Sequence, residues 1–256
     1  MWIPKWEARI FMVLCDTFGL SPFTLNDALS NLNLSKDIVR VALSRLVKRG
    51  WIIRLNRGKY LAKPLDRIMV SLTKYFKVRN IIDSMKVKYP IYLHGSVADL
   101  LASQASDIDL LIVSDENWEN LEKMFSSMHV TFLKKRNLEK TVDFNIYLIF
   151  KRGIPLTVKV QTPKPSPFNP KKFLETSQIL FETAKINSLI YEPQILTAIG
   201  LAAKYILYKN GILPPTSTVG AIFELAKVKE EYLKAFKELK TRKIEEIYKK
   251  VIKWAV

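Results

Sequence analysis

The chain of 256 residues contains one cysteine and two histidines. A single cysteine, Cys15, excludes an internal disulfide; set among Phe11, Leu14 and Phe18, it reads as a core residue in a reducing cytoplasm. With only His94 and His129 available, no Cys/His cluster has zinc spacing and no Ser-His-Asp arrangement can be built. No apolar run approaches the length that spans a bilayer, and Met1 to Glu7 lack the charged-then-apolar layout of a secretion signal. No internal repeat is present. Acidic residues are scarce, 24 against 41 lysines and arginines, so the formal net charge is +17. Such an excess predicts attraction to polyanions, nucleic acid above all. What remains is ordinary for a globular protein: 48% hydrophobic and 25% charged residues, in a chain long enough for two or three small domains.

The most informative stretch is Tyr92-Leu-His-Gly-Ser96, followed by Ser106-Asp-Ile-Asp-Leu-Leu-Ile-Val113. It reads as a strand, a Gly-Ser turn, a short helix and a second strand. Side chains alternate along a strand, which places Asp107 and Asp109 on one face. Leu110 to Val113 make that strand a central one. Two neighbouring carboxylates repel each other and resist desolvation unless a cation sits between them. A magnesium ion carrying a nucleoside triphosphate meets that need, because Mg²⁺ takes one or two carboxylates and completes its octahedron with phosphate and water. Gly95 lets backbone approach a phosphate, and Ser96 with the N–H groups of the following helix can hold it.

These residues resemble the DNA polymerase-β-like nucleotidyltransferase superfamily over about residues 66–162. Gly95, Ser96, Asp107 and Asp109 match its signature of an apolar strand, Gly-Ser, a gap, and Asp-x-Asp. The resemblance implies transfer of NMP from an NTP, ATP being the expected one, to an acceptor hydroxyl, an EC 2.7.7-type reaction. Asp107, Asp109 and a third carboxylate would hold two Mg²⁺ (or Mn²⁺) ions about 3.5–4 Å apart. Asp143, in an expected strand over about 142–150, is the candidate third carboxylate. Relatives that carry it on the next strand would place it in Leu156 to Val160, where Lys159 stands instead; in that register the third carboxylate is absent and Lys159 faces a phosphate. The family's frequent Ala-Arg-Gly after the turn is replaced by Val97-Ala-Asp99. Asp99 is expected to cap or face solvent, His94 to be a neutral strand-end residue, and His129 to lie in a loop. An Arg-x4-6-His ribonuclease motif, found in helical partners of related modules, is not supported, since neither histidine lies in the C-terminal helices.

The first 64 residues carry 11 basic and 4 acidic side chains. Periodicity predicts a helix over 5–18; Thr24 and Ser35 are expected N-caps of two more, the last ended by Gly50. Residues 51–62 then read as a hairpin turning at Asn56-Arg-Gly58. This resembles a winged-helix DNA-binding domain. The third helix would bury Val39, Ala42, Leu43 and Leu46 and present Lys36, Arg40, Ser44 and Lys48, with Arg45 beside them, to a major groove. Arg54, Arg57 and Lys59 on the wing would meet phosphates.

Leu65 to about Lys86 reads as a connecting helix, about 117–128 as another, and strands are expected at about 130–135, 142–150 and 155–162. Four of the twelve prolines fall in Thr162 to Pro170, a stiff linker. Helices follow at about 171–185, 193–209, 217–228, 229–240 and 242–254. The expected architecture is α/β: a winged helix (1–64), a mixed-sheet nucleotidyltransferase core (65–162), and a linker with a helical domain (163–256). Expected partners are duplex DNA through the winged helix, tRNA or a protein as acceptor, and a toxin–antitoxin or defence partner, with no membrane. The rival reading is a DNA-binding transcriptional regulator whose nucleotidyltransferase fold is catalytically degenerate.

Overall fold

The computed structural model describes the chain except residues 1–2, 56–57, 86, 88, 117, 187–190 and 240–243, and the side chains of residues 118 and 120. Helices α1 (Lys5–Phe18), α2 (Leu25–Leu32) and α3 (Lys36–Lys48) precede a hairpin of β1 (Ile52–Arg54) and β2 (Tyr60–Ala62). The caps explain the boundaries. Thr24 and Asp27 form a reciprocal capping box on α2, and Ser35 accepts the Ile38 N–H to start α3. Phe11, Leu14, Val39, Leu43 and Leu46 close the three helices around Trp51, whose ring meets Phe11 edge-on at 5.0 Å. Cys15 lies at the rim of this core, where burial and then Asp16 push its thiol up to about 12. A thiol so raised is unreactive at neutral pH.

The hairpin departs from the expected exposed wing. Ile53, Leu55 and Leu61 are buried in the core of the C-terminal helices, and Lys59 pairs with Glu230 at 2.7 Å. The wing is thus an internal element wedged between two parts of the chain. The expected turn residues Asn56 and Arg57 lie outside the described residues.

The middle of the chain forms a four-stranded mixed sheet in the order β5-β4-β3-β6. Its elements are α4 (Leu65–Met85), β3 (Ile91–His94), α5 (Gly95–Ala98), β4 (Asp109–Val113), α6 (Trp118–Met124), β5 (His129–Leu133), α7 (Phe144–Arg152) and β6 (Ile154–Pro155). β4 pairs antiparallel with β3 and parallel with β5. Leu110 and Ile112 pack with Val78 and Ile82 of α4 on one face, while Leu111 and Val113 meet Ile149 and Phe150 of α7 on the other. Burial on both faces is why this strand reads as an unbroken apolar run.

Two expected strands are corrected. Residues 142–150 are largely helical, because Asp143 accepts the Asn145 N–H and caps α7. Phe144, Leu148 and Ile149 then bury one helical face. The expected strand over 155–162 shrinks to β6; beyond it, the Thr157 hydroxyl accepts the Ile91 N–H, and the Val160 N–H donates to the Tyr92 hydroxyl. Side chains replace the ladder there.

The proline segment is docked rather than free: Phe168 stacks on Phe144 at 4.3 Å and Ser166 N–H donates to Val142 O. The C-terminal domain consists of α8 (Lys171–Ala184), α9 (Tyr191–Lys209), α10 (Thr218–Glu224), α11 (Leu233–Glu238) and α12 (Ile244–Ala255). Its centre is α9, where Ile195, Ile199, Ala202, Ala203 and Ile206 are buried. Gly200 admits Thr218 of α10 into a space that a Cβ would fill.

Candidate functional site

The end of β3 and the start of β4 lie side by side, with His94 opposite Asp109. Gly95 follows at φ +70, the left-handed region open chiefly to glycine. A Cβ on Gly95 would overlap Asp109 Oδ2, so the carboxylate rests directly against the Gly-Ser turn. Asp107 precedes β4 and is exposed, Ile108 between them is buried, and Asp109 is partly buried. Asp109 is the first residue of β4, and Asp107 lies two residues ahead of the strand.

His129 was expected in a loop. It opens β5 directly beside Asp109, with its Nδ1 3.1 Å from Asp109 Oδ1. Asp109 thus stands between two imidazoles. Burial lowers the pKa of His94, Asp109 partly opposing, so this ring is neutral. Its Nε2 is buried without a hydrogen-bond partner among the described residues.

The C-terminal domain reaches the turn. Gly95 N–H donates to Thr216 Oγ1 at 2.9 Å, and Lys204 Nζ holds Thr216 O at 2.9 Å. Next along, Asp99 turns inward rather than to solvent: Oδ2 accepts the Ser217 N–H at 3.1 Å and its hydroxyl at 2.6 Å. Burial raises the Asp99 pKa, while Ser217, Arg152 and Lys63 oppose. Nearby, buried Glu224 accepts from Arg152 and, at 2.6 Å, from Lys227. None of this cluster was anticipated from sequence except Asp99, and that in the wrong setting.

The other expected residues fall as follows. Ser96 is partly buried on α5. Asp143 caps α7 and Lys159 is exposed beyond β6. Among the described residues no group of three or more His, Cys, Asp or Glu comes together as a metal site, so Asp143 does not complete a cluster with Asp107 and Asp109. On α3, Lys36, Arg40, Ser44 and Lys48 are exposed, Arg40 lying 3.9 Å from Asp37. Arg45 turns back to the buried Glu7 at 3.3 Å, over the Trp6 ring, and Arg49 joins it at 3.6 Å. Arg54 is exposed, and Lys59 is held by Glu230. Arg57 lies outside the described residues. Among the described residues no helix is long and apolar enough to cross a membrane.

Comparison with known proteins gives two family matches. Residues 77–182 match the family model of a nucleotidyltransferase domain, and residues 19–63 match that of a transcriptional regulator, AbiEi antitoxin. The crystal structure of the RV2827C protein from Mycobacterium tuberculosis is similar over 88% of this chain and 82% of that one, at 14% identity and a TM-score of 0.21. No curated protein is matched.

Proposed function

We propose that this chain, which joins an AbiEi-type regulator domain to a nucleotidyltransferase domain, moves NMP from an NTP to an acceptor hydroxyl on nucleic acid or protein, the new phosphoester bond replacing the α–β phosphoanhydride bond as the hydroxyl proton is lost and pyrophosphate leaves. ATP is the nucleotide we favour. The observation that carries the reading is the seating of Asp109 against the Gly95-Ser96 turn, with Asp107 two residues before it. Two hard oxygen donors fit Mg²⁺ or Mn²⁺ arriving on a triphosphate, whose oxygens supply the remaining positions. Once bound there, a divalent ion neutralises phosphate charge and eases deprotonation of the acceptor hydroxyl. The chain's own part is positioning. Gly95 keeps the turn open to phosphate, Ser96 offers a hydroxyl, and His129 fixes the orientation of the Asp109 carboxylate. The exposed stripe of α3 holds nucleic acid, and the AbiEi match favours a cytoplasmic toxin–antitoxin setting.

A second reading has specific support. The Gly95 N–H already donates to Thr216, and no third carboxylate joins the pair among the described residues. Both observations suit a DNA-binding regulator whose nucleotidyltransferase fold is degenerate.

The test is incorporation of α-labelled NTPs by the full chain with Mg²⁺ or Mn²⁺, with tRNA, single-stranded DNA, duplex DNA or lysate as acceptor. Label in one acceptor should be lost in Asp107→Asn/Asp109→Asn while duplex binding is unchanged; Arg40→Ala/Lys48→Ala should show the reverse. No label anywhere, with salt-dependent duplex binding intact, would replace the transferase by the regulator.

A further inference from the structure

The end of α3, the wing, α5, the end of α7 and the turn at Leu225–Lys227 face one another across a cleft of about 980 Å³. Eight lysines and arginines line it against two acids, Asp99 and Glu224. Both acids are engaged from within, Glu224 by Arg152 and Lys227, Asp99 by Ser217. Arg45 and Arg49 are drawn toward Glu7. Lys48, Arg54 and Lys151 are exposed and have no acidic partner among the described residues. These three come from the winged helix, the wing and the catalytic domain, separated in sequence yet converging on one concavity. Like charges gathered this way repel one another, and an anion between them relieves that repulsion.

The lining narrows the ligand. It contains no aromatic side chain, so it offers no platform for stacking bases and recognises phosphate. At about 980 Å³ the concavity is of the size that small ligands fill, about 300–1,000 Å³, which suits a few nucleotides of one strand rather than the extended face of a duplex. We propose that this cleft holds the sugar-phosphate backbone of a single nucleic-acid strand, independent of its sequence, as a site that meets the outward stripe of α3 only at Lys48. Its floor includes Ala98 and Asp99, at the far end of the helix that opens with Gly95. The proposal stands whether or not Asp107 and Asp109 support transfer. Lys63 adds to it: burial pushes its pKa down to about 8, and an anion in the cleft would keep its ammonium charged.

The experiment is fluorescence anisotropy of a short labelled oligouridylate with the full chain over a range of salt. Arg54→Glu/Lys151→Glu should weaken binding at least about tenfold and flatten the slope of log affinity against log salt by about 1.4, at about 0.7 per single-strand phosphate contact. Lys171→Glu/Lys172→Glu, exposed at the start of α8 and outside the cleft lining, should change single-strand affinity less than about twofold. Arg54→Gln/Lys151→Gln, which introduces no repulsion, should give a smaller loss in the same direction. Unchanged affinity and slope in both inner variants would overturn the proposal. Saturable binding of inorganic tripolyphosphate without binding of the strand would overturn it too, and reassign the cleft to a free polyphosphate.

Discussion

Replacing Lys63 by Met should stabilise the protein at neutral pH. Lys63 follows the wing strand β2, is 6% exposed, and donates from Nζ to the Asp99 carbonyl at 2.7 Å. Burial pushes its pKa from the ordinary 10.5 down to about 8, with Asp99 and Glu224 opposing and Arg152 and Lys227 adding. Each pKa unit is worth about 1.4 kcal/mol, so holding the ammonium in place at pH 7 costs on the order of 3 kcal/mol relative to the unfolded chain. A depressed lysine favours the folded state fully only above 10.5, and the advantage disappears as pH falls through 8. Methionine has similar length and no charge; it leaves one carbonyl without its donor, at about 1–3 kcal/mol. The net expected gain at pH 7 is about 1 kcal/mol. The sharper observable is the difference between the two proteins. Urea denaturation followed by tryptophan fluorescence should show wild type gaining about 1 kcal/mol on the variant between pH 7 and pH 9. Parallel stability across that range, or a loss above about 2 kcal/mol in the variant at pH 7, would refute the account of Lys63 as a buried, strained charge.

Gly95→Ala should lose about 1–2 kcal/mol from its left-handed backbone alone, and displacement of Asp109 should remove nucleotide transfer; an unshifted melting temperature would contradict the close seating. Glu224→Ala leaves Arg152 and Lys227 without their shared carboxylate and should cost about 3–5 kcal/mol in chemical denaturation. Burial raises the Glu224 pKa but Arg152 and Lys227 more than offset it, so its net pKa is lowered. Its stabilising contribution is present above the ordinary 4.5 and is lost as pH falls below it, which a comparison with Glu224→Gln near pH 4 against pH 7 reads directly. His129→Ala removes a largely exposed ring, so stability should change by less than about 1 kcal/mol, while transfer should fall with duplex binding unaltered; equal transfer would show that Asp109 needs no orienting imidazole.

The parts of the molecule legible in its sequence are those built from local signals. Thr24 with Asp27, Ser35, and the 3.6-residue spacing of Val39, Ala42, Leu43 and Leu46 announce the three helices. Leu110 to Val113 announce a strand buried on both faces. The misreading of 142–150 has an equally local cause. Val142-Asp-Phe-Asn-Ile alternates apolar and polar residues as a strand does, but it lies where the Asp143 cap starts a helix whose periods coincide for half a dozen residues. His129 was missed because a parallel register between β4 and β5 leaves no mark in either segment. The ionic cluster was missed for a related reason. Asp99 meets Ser217 across 118 positions, and Arg152 meets Glu224 across 72. Each residue alone reads as a surface charge.

The internal wing also sets an order of events on the ribosome. Ile53, Leu55 and Leu61 share a core with Ile247, Val251 and Ala255, which are synthesised long after them. Until α12 emerges, the hairpin keeps an apolar face in water, and the three helices that precede it lack its final support. Burial of the hairpin therefore waits for helices that lie far downstream of it in the chain. A copy terminated before α12 would present a sticky hairpin to chaperones and proteases.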